Sequence, residues 1–94
     1  MLEKSIEKRC RLYVRRCGGW LVKLTWIKGI PDRMVLLPGG VIFFVEFKRP
    51  GEKLRKLQDY RRKQITKMGF TCLVLDSYED FVAAAKSYMP TVAL

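Results

Sequence analysis

Residues 30–48 read IPDRMVLLPGGVIFFVEFK, and the fold follows from how this stretch must turn back on itself. Pro38-Gly39-Gly40 is a hairpin turn, with a short strand before it (Arg33 to Leu37) and a longer one after it (Val41 to Lys48). The second strand is the most apolar run in the chain. Its alternation puts Ile42, Phe44, Glu46 and Lys48 on one face, and Val41, Phe43, Val45 and Phe47 on the other. Both faces are apolar over the first half, which predicts a central strand covered on both sides.

The hairpin also fixes a register. Leu37 faces Val41, so Asp32 lies opposite Glu46, and two carboxylates converge from adjacent strands. Lys48 leaves the same face as Glu46. Burying a carboxylate and an ammonium at the end of such a strand costs several kcal/mol unless they pair or bind something. A hard divalent cation suits two carboxylates. Magnesium keeps several waters and takes one or two protein oxygens beside a substrate phosphate. Such an ion polarises the phosphate and activates a water, while Lys48 could orient that nucleophile or neutralise developing charge. The plainer reading is a surface Glu46–Lys48 ion pair, nearly free in energy, with Asp32 as a turn residue. Pro31 and the hairpin register favour the site.

Working outward, Leu2, Ile6, Cys10, Tyr13, Val14 and Cys17 recur at helical spacing, so residues 2–17 read as an amphipathic helix ended by Gly18-Gly19. Trp20 to Trp26 reads as a strand, followed by a turn centred on Lys28-Gly29-Ile30-Pro31. Beyond Pro50-Gly51, residues 53–68 read as a basic helix with Leu54, Leu57, Ile65 and Met68 on its buried side. Phe70 to Leu75 is a fourth strand. Ser77 with Asp80 fits a capping box opening a helix over 78–88, and Met89 to Leu94 reads as a frayed tail. The order is α-β-β-β-α-β-α. The crossover helix predicts a right-handed connection and parallel third and fourth strands.

The 94 residues suit one domain spanning 1–94. Lys and Arg outnumber Asp and Glu 19 to 9, a net charge of +10 that implies a polyanionic partner. No apolar run reaches the ~20 residues of a membrane span, and the charged start lacks a signal-peptide core, so a cytoplasmic protein with no membrane partner is expected. The chain has no histidine and its three cysteines form no CxxC pair, which excludes ordinary zinc sites and a Ser-His-Asp triad. Cys10 and Cys17 read as small core residues. The predicted basic helix carries Lys53, Arg55, Lys56, Arg61, Arg62, Lys63 and Lys67 with almost no acid except Asp59, a pattern that favours phosphate contacts. Arg33 follows Asp32 on the opposite strand face and reads as a DNA or structural contact. Lys23, mid-strand in an apolar run, is a possible site neighbour, and the tryptophans and phenylalanines read as core.

Ile30-Pro31-Asp32, a hairpin and then Glu46-Phe47-Lys48 resemble the PD-(D/E)XK signature of restriction-type nucleases. The stretches Gly29 to Arg33 (GIPDR), VEFKRPG and VLDSYEDF resemble more narrowly the virus-type replication-repair nucleases, the VRR-Nuc family, over about the whole chain. The resemblance implies a restriction-endonuclease-like α/β core, a mixed central sheet flanked by helices. It implies Mg²⁺ or Mn²⁺ on Asp32, Glu46 and the Phe47 carbonyl, with Lys48 as the catalytic lysine. It also implies a glutamate on the first helix and a glutamine after the ExK strand, which Glu7 and Gln58 match. Glu7 could reach a metal-bound water, although Glu3 projects nearer the middle of the apolar stripe and Glu7 also reads as a solvated helix carboxylate. Gln58 reads equally as a boundary residue. As function, the resemblance implies an endonuclease of structured or branched DNA, including four-way (Holliday) junctions, phage-type and homodimeric. The alternative is a catalytically silent nucleic-acid-binding module of the same fold.

Overall fold

The register set by the hairpin organises the whole sheet. The structure is a computed structural model that describes residues 3–25 and 27–89, with only the backbone of Glu3. Its elements are α1 (Glu3–Arg16), β1 (Trp20–Lys23), β2 (Arg33–Leu37), β3 (Val41–Phe47), α2 (Lys56–Lys67), β4 (Thr71–Leu75) and α3 (Tyr78–Tyr88). The sheet order is β1-β2-β3-β4, with β1–β2 and β2–β3 antiparallel and β3–β4 parallel, so α2 is the expected crossover between parallel strands. Leu37 pairs with Val41, which leaves Pro38, Gly39 and Gly40 as a three-residue loop. Gly39 and Gly40 take φ of 90° and 74°, a conformation that side-chain-bearing residues avoid.

Val35, Leu37, Phe43, Val45 and Phe47 share one sheet face, and α1 and α3 close over it. Ile6, Cys10 and Val14 from α1 meet Phe81 and Ala85 from α3 in that core. Phe81 stacks against Phe43 and Phe47 at centroid separations of 6.0 and 5.9 Å. Cys10 is buried and Cys17 packs at the core's edge, as their spacing predicted. The Gly19 amide donates to the Val14 carbonyl, closing the C-terminus of α1. Ser77 caps α3 by accepting from the Asp80 amide.

The other face carries Met34, Phe44 and Glu46 and is covered only in part, by α2 through Ile65. That partial cover corrects three expectations. Ile42 is exposed, so β3 is central in order but not fully covered on both faces. Leu57 and Met68 are exposed, at 41% and 68%: Leu57 packs against Gly29 rather than the sheet, and Met68 lies past the last residue of α2. Trp20 and Phe70 are not core either: Trp20 is 63% exposed at the edge strand, and Phe70, just before β4, is 45% exposed.

Element ends shift for local reasons. Residues 53–55 are not helical, because Arg55 is extended and its amide is taken by the Gln58 side chain, which sets the start of α2 at Lys56. β1 ends at Lys23, although the Leu24 amide still donates to the Asp32 carbonyl. β4 starts at Thr71, leaving Phe70 outside it. Leu2, Trp26 and the tail from Pro90 onward lie outside the described residues. No helix among the described residues is long and apolar enough to cross a membrane.

Candidate active site

Pairing Arg33 with Val45 places Asp32 opposite Glu46, one step beyond the end of β2. Glu46 is 4% exposed and Lys48 is 7% exposed, both far from the surface positions that charged side chains favour. The Lys48 ammonium stands 3.8 Å from Glu46 Oε2, close enough for attraction but long for a hydrogen bond. Glu46 Oε1 is buried and has no hydrogen-bond partner. Burial, and then the facing Asp32 carboxylate, push the Glu46 carboxyl up to about 8, against the pull of Lys48. A like-charged pair with an orphaned oxygen is expensive in an isolated chain and fits a cation well. Among the described residues no three histidine, cysteine, aspartate or glutamate side chains cluster, so a cation here would rest on two carboxylates plus backbone oxygen. Phe47 fits that role only through its carbonyl, since its side chain fills the core.

The backbone of Asp32 is held from both sides. Its carbonyl accepts from the Leu24 amide at 2.9 Å and from Arg33 Nη1 at 3.0 Å. Arg33 Nη2 also donates to Glu7 Oε1 in an ion pair across the α1 face. Glu7 therefore meets Arg33 and is not brought to Glu46, while the side chain of Glu3 lies outside the described residues. Sequence reasoning missed this link. Its signal was present: Arg33 shares a face with buried Val35 and Leu37, so a charge there needs a partner. Lys23 pairs with Arg33 on that same face, exposed and across the sheet from Glu46.

The loop before Asp32 is clamped by α2. The Ile30 amide donates to the Ile27 carbonyl at 3.2 Å, closing the predicted turn, and Arg61 Nε donates to the Lys28 carbonyl at 3.1 Å. Gly29 has φ +78°, and a Cβ there would sit 2.5 Å from Leu57 Cγ. Gly29→Ala is therefore expected to destabilise the fold by about 2 kcal/mol or more, through backbone strain plus the clash. Urea unfolding measures it, and an unchanged midpoint would show that loop and helix are not in register.

The basic residues divide. Arg62 and Lys63 both approach Asp59, each at 3.0 Å, and Lys63 first, then Arg62, hold the Asp59 carboxyl below its ordinary value. Lys53, Arg55 and Lys56 are exposed between the end of β3 and the first turn of α2, on the chain segment that leaves Lys48. Gln58 is half-buried, and its side-chain oxygen is engaged in capping α2 rather than in the carboxylate pair. The Cys10 and Cys72 thiols are pushed up by burial to about 12 and about 11, which keeps them protonated at neutral pH.

A mixed four-stranded sheet with carboxylates at the end of a hairpin defines a restriction-endonuclease-like α/β protein of the PD-(D/E)XK class. A solved structure described as a VRR_NUC domain superposes with a TM-score of 0.84 at 29% identity, covering 93% of this chain and 97% of that one. Over 79 residues the chain is 42% identical to "Putative nuclease p44" of Acyrthosiphon pisum secondary endosymbiont phage 1, covering 82% of this chain and 85% of the relative. No family sequence profile matches the chain. The chain belongs to the VRR-Nuc family.

Proposed function

We propose that this protein is a metal-dependent DNA endonuclease that hydrolyses phosphodiester bonds in structured or branched DNA such as four-way junctions, working as a homodimer in the cytoplasm. The observation that carries the reading is the buried Glu46, facing Asp32 with one oxygen unsatisfied and Lys48 beside it. The phage relative's printed name and the likeness to a VRR_NUC domain support the same chemistry.

In this reading Asp32, Glu46 and the Phe47 carbonyl hold Mg²⁺ or Mn²⁺. When bound, the cation supplies positive charge to the phosphate oxygens and an activated water. Lys48 neutralises charge that develops on the phosphorus centre, from a buried position where each charge counts more than in water. Arg33 and Glu7 act through the Asp32 backbone, fixing where its carboxylate stands. Lys53, Arg55, Lys56, Arg62 and Lys63 receive neighbouring phosphates, and the net charge of +10 draws the substrate in. Gln58 contributes by defining the first turn of α2.

The test is cleavage of labelled four-way junction, linear duplex and single strand by pure protein, with Mg²⁺ or Mn²⁺ against EDTA. Paired cuts in the junction, dependent on metal and leaving 5′-phosphates, are expected. Failure to cut any form would leave a silent binding module. Equal cutting of all forms would remove the junction preference and keep the nuclease. Sedimentation equilibrium separates a dimer from a monomer.

A further inference from the structure

The partly covered sheet face does not end at the carboxylates. Met34 pairs with Phe44 directly beside the Asp32–Glu46 pair and on the same face, about 7 Å further along the strands. From there an open groove of about 950 Å³ runs between the sheet, the side chains of Leu24, Ile27 and Ile30, and α2. Its floor is apolar, formed by Leu24, Ile27, Met34, Phe44 and Ile65, with the Tyr60 ring at its margin. Phe70 meets Phe44 edge to face at 6.0 Å and prolongs the apolar surface. Tyr60, Met68 and Phe70 are 55%, 68% and 45% exposed, a concentration of bare apolar side chains that a small domain rarely leaves without use.

Charge decides between occupants. Arg61, Lys63 and Lys67 stand along the α2 side of the groove, and the Arg61 guanidinium lies 5.6 Å from the Tyr60 ring centre. A second copy docking here would bring the same cations onto themselves, in a chain already at +10. The occupant must instead combine flat apolar groups with negative charge. A DNA strand with its bases out of the stack does so, because every base offers a π-face and every step carries a phosphate. Paired duplex does not, since its base faces are covered. The ~7 Å offset puts the apolar floor directly beside the carboxylate pair, within reach of bases that flank the scissile phosphate.

We propose that this groove receives unstacked bases next to the scissile phosphate, so that the protein selects DNA that is unpaired beside the cut. The inference rests on the nuclease reading above and names the feature of branched DNA that the site recognises.

The experiment places 2-aminopurine at the first and second positions either side of the cut, in a fork and in a matched duplex. Binding is followed with Lys48→Ala protein in Mg²⁺, alone and combined with Tyr60→Ala or Met68→Ser. Both added changes remove apolar surface at exposed positions and leave the net charge alone. Binding is expected to change 2-aminopurine emission in the fork and not in the duplex. Tyr60→Ala is expected to weaken fork binding about tenfold and to leave duplex binding nearly unchanged. Unchanged emission, or equal weakening of fork and duplex, overturns the groove. Sedimentation showing that the variants break a dimer while fork binding persists would assign the groove to a second copy. Wild-type protein that cuts no DNA overturns the nuclease reading itself. Wild-type protein that cuts fork and duplex alike, indifferent to Tyr60→Ala, overturns only the groove.

Discussion

Glu46→Gln is expected to give a folded protein whose single-turnover DNA cleavage falls by about a thousandfold or more in saturating Mg²⁺. The substitution keeps the side chain's size, so Phe43, Val45 and Phe47 on the opposite face keep their packing against α1 and α3. It removes one of the two carboxylates that face each other across β2 and β3, which halves the charge available to a cation. DNA binding rests on basic residues elsewhere and is expected to survive. The effect should therefore appear in the rate of cutting and in metal affinity, not in capture of the junction. A variant that cuts as fast as wild type would remove Glu46 from the site.

Lys48→Ala should lose cutting as well, but with a different side effect. It takes away the larger of the two influences that hold the Glu46 carboxyl down, leaving only a backbone hydrogen bond at Asp32. Near neutral pH the metal-free variant should therefore be less stable than metal-free Glu46→Gln, because its Glu46 must take up a proton to stay buried beside Asp32 and an amide carries no such cost. The circular-dichroism melting curves of the two variants in EDTA test this ordering.

The parts of the site legible from sequence are those tied to the hairpin. A three-residue Pro-Gly-Gly loop leaves one register open to a strand whose apolar residues must face inward, and that register brings Asp32 to Glu46. Lys48 follows from strand alternation alone. What sequence did not show was where long side chains spend their hydrogen bonds. Gln58 could face the site or cap its own helix, and the backbone amide of Arg55, three residues earlier, decides in favour of the cap. Glu7 could serve a cation or an arginine, and its position on the opposite sheet face from Glu46 gives it Arg33. Leu57 and Met68 fit a buried helix stripe by spacing, yet they stay exposed because α2 does not close over its face of the sheet. Periodicity reports which residues share a face. It does not report whether a second layer arrives to cover it.

The same open, half-charged architecture predicts how the metal-free protein responds to pH. The Glu46 carboxyl moves from its ordinary 4.5 to about 8 in the fold, through burial first and the Asp32 carboxylate second. Between those values the folded state holds a proton that the unfolded chain has released, so stability must fall as pH rises. The contribution is whole below about pH 4.5 and is lost progressively as pH climbs through about 8. Near 4–8 °C per kcal/mol for a domain of this size, the melting temperature in EDTA should drop by several degrees between about pH 5 and pH 8.5. Cys10 and Cys72 are held up by burial and ordinarily titrate at 9.0, so they contribute little over most of that window. A cation needs the ionised carboxylates and competes with the proton. Mg²⁺ or Mn²⁺ at ~100 times its Kd should add about 2.7 kcal/mol at the alkaline end and much less at the acid end. Glu46→Gln, which has no proton to lose, should flatten the EDTA profile and abolish most of the metal response, while the background effect of net charge stays common to both proteins. If wild type and Glu46→Gln gave parallel melting profiles in EDTA, Glu46 would be ionised throughout, and the Asp32–Glu46 pair would be held apart by something other than a missing cation.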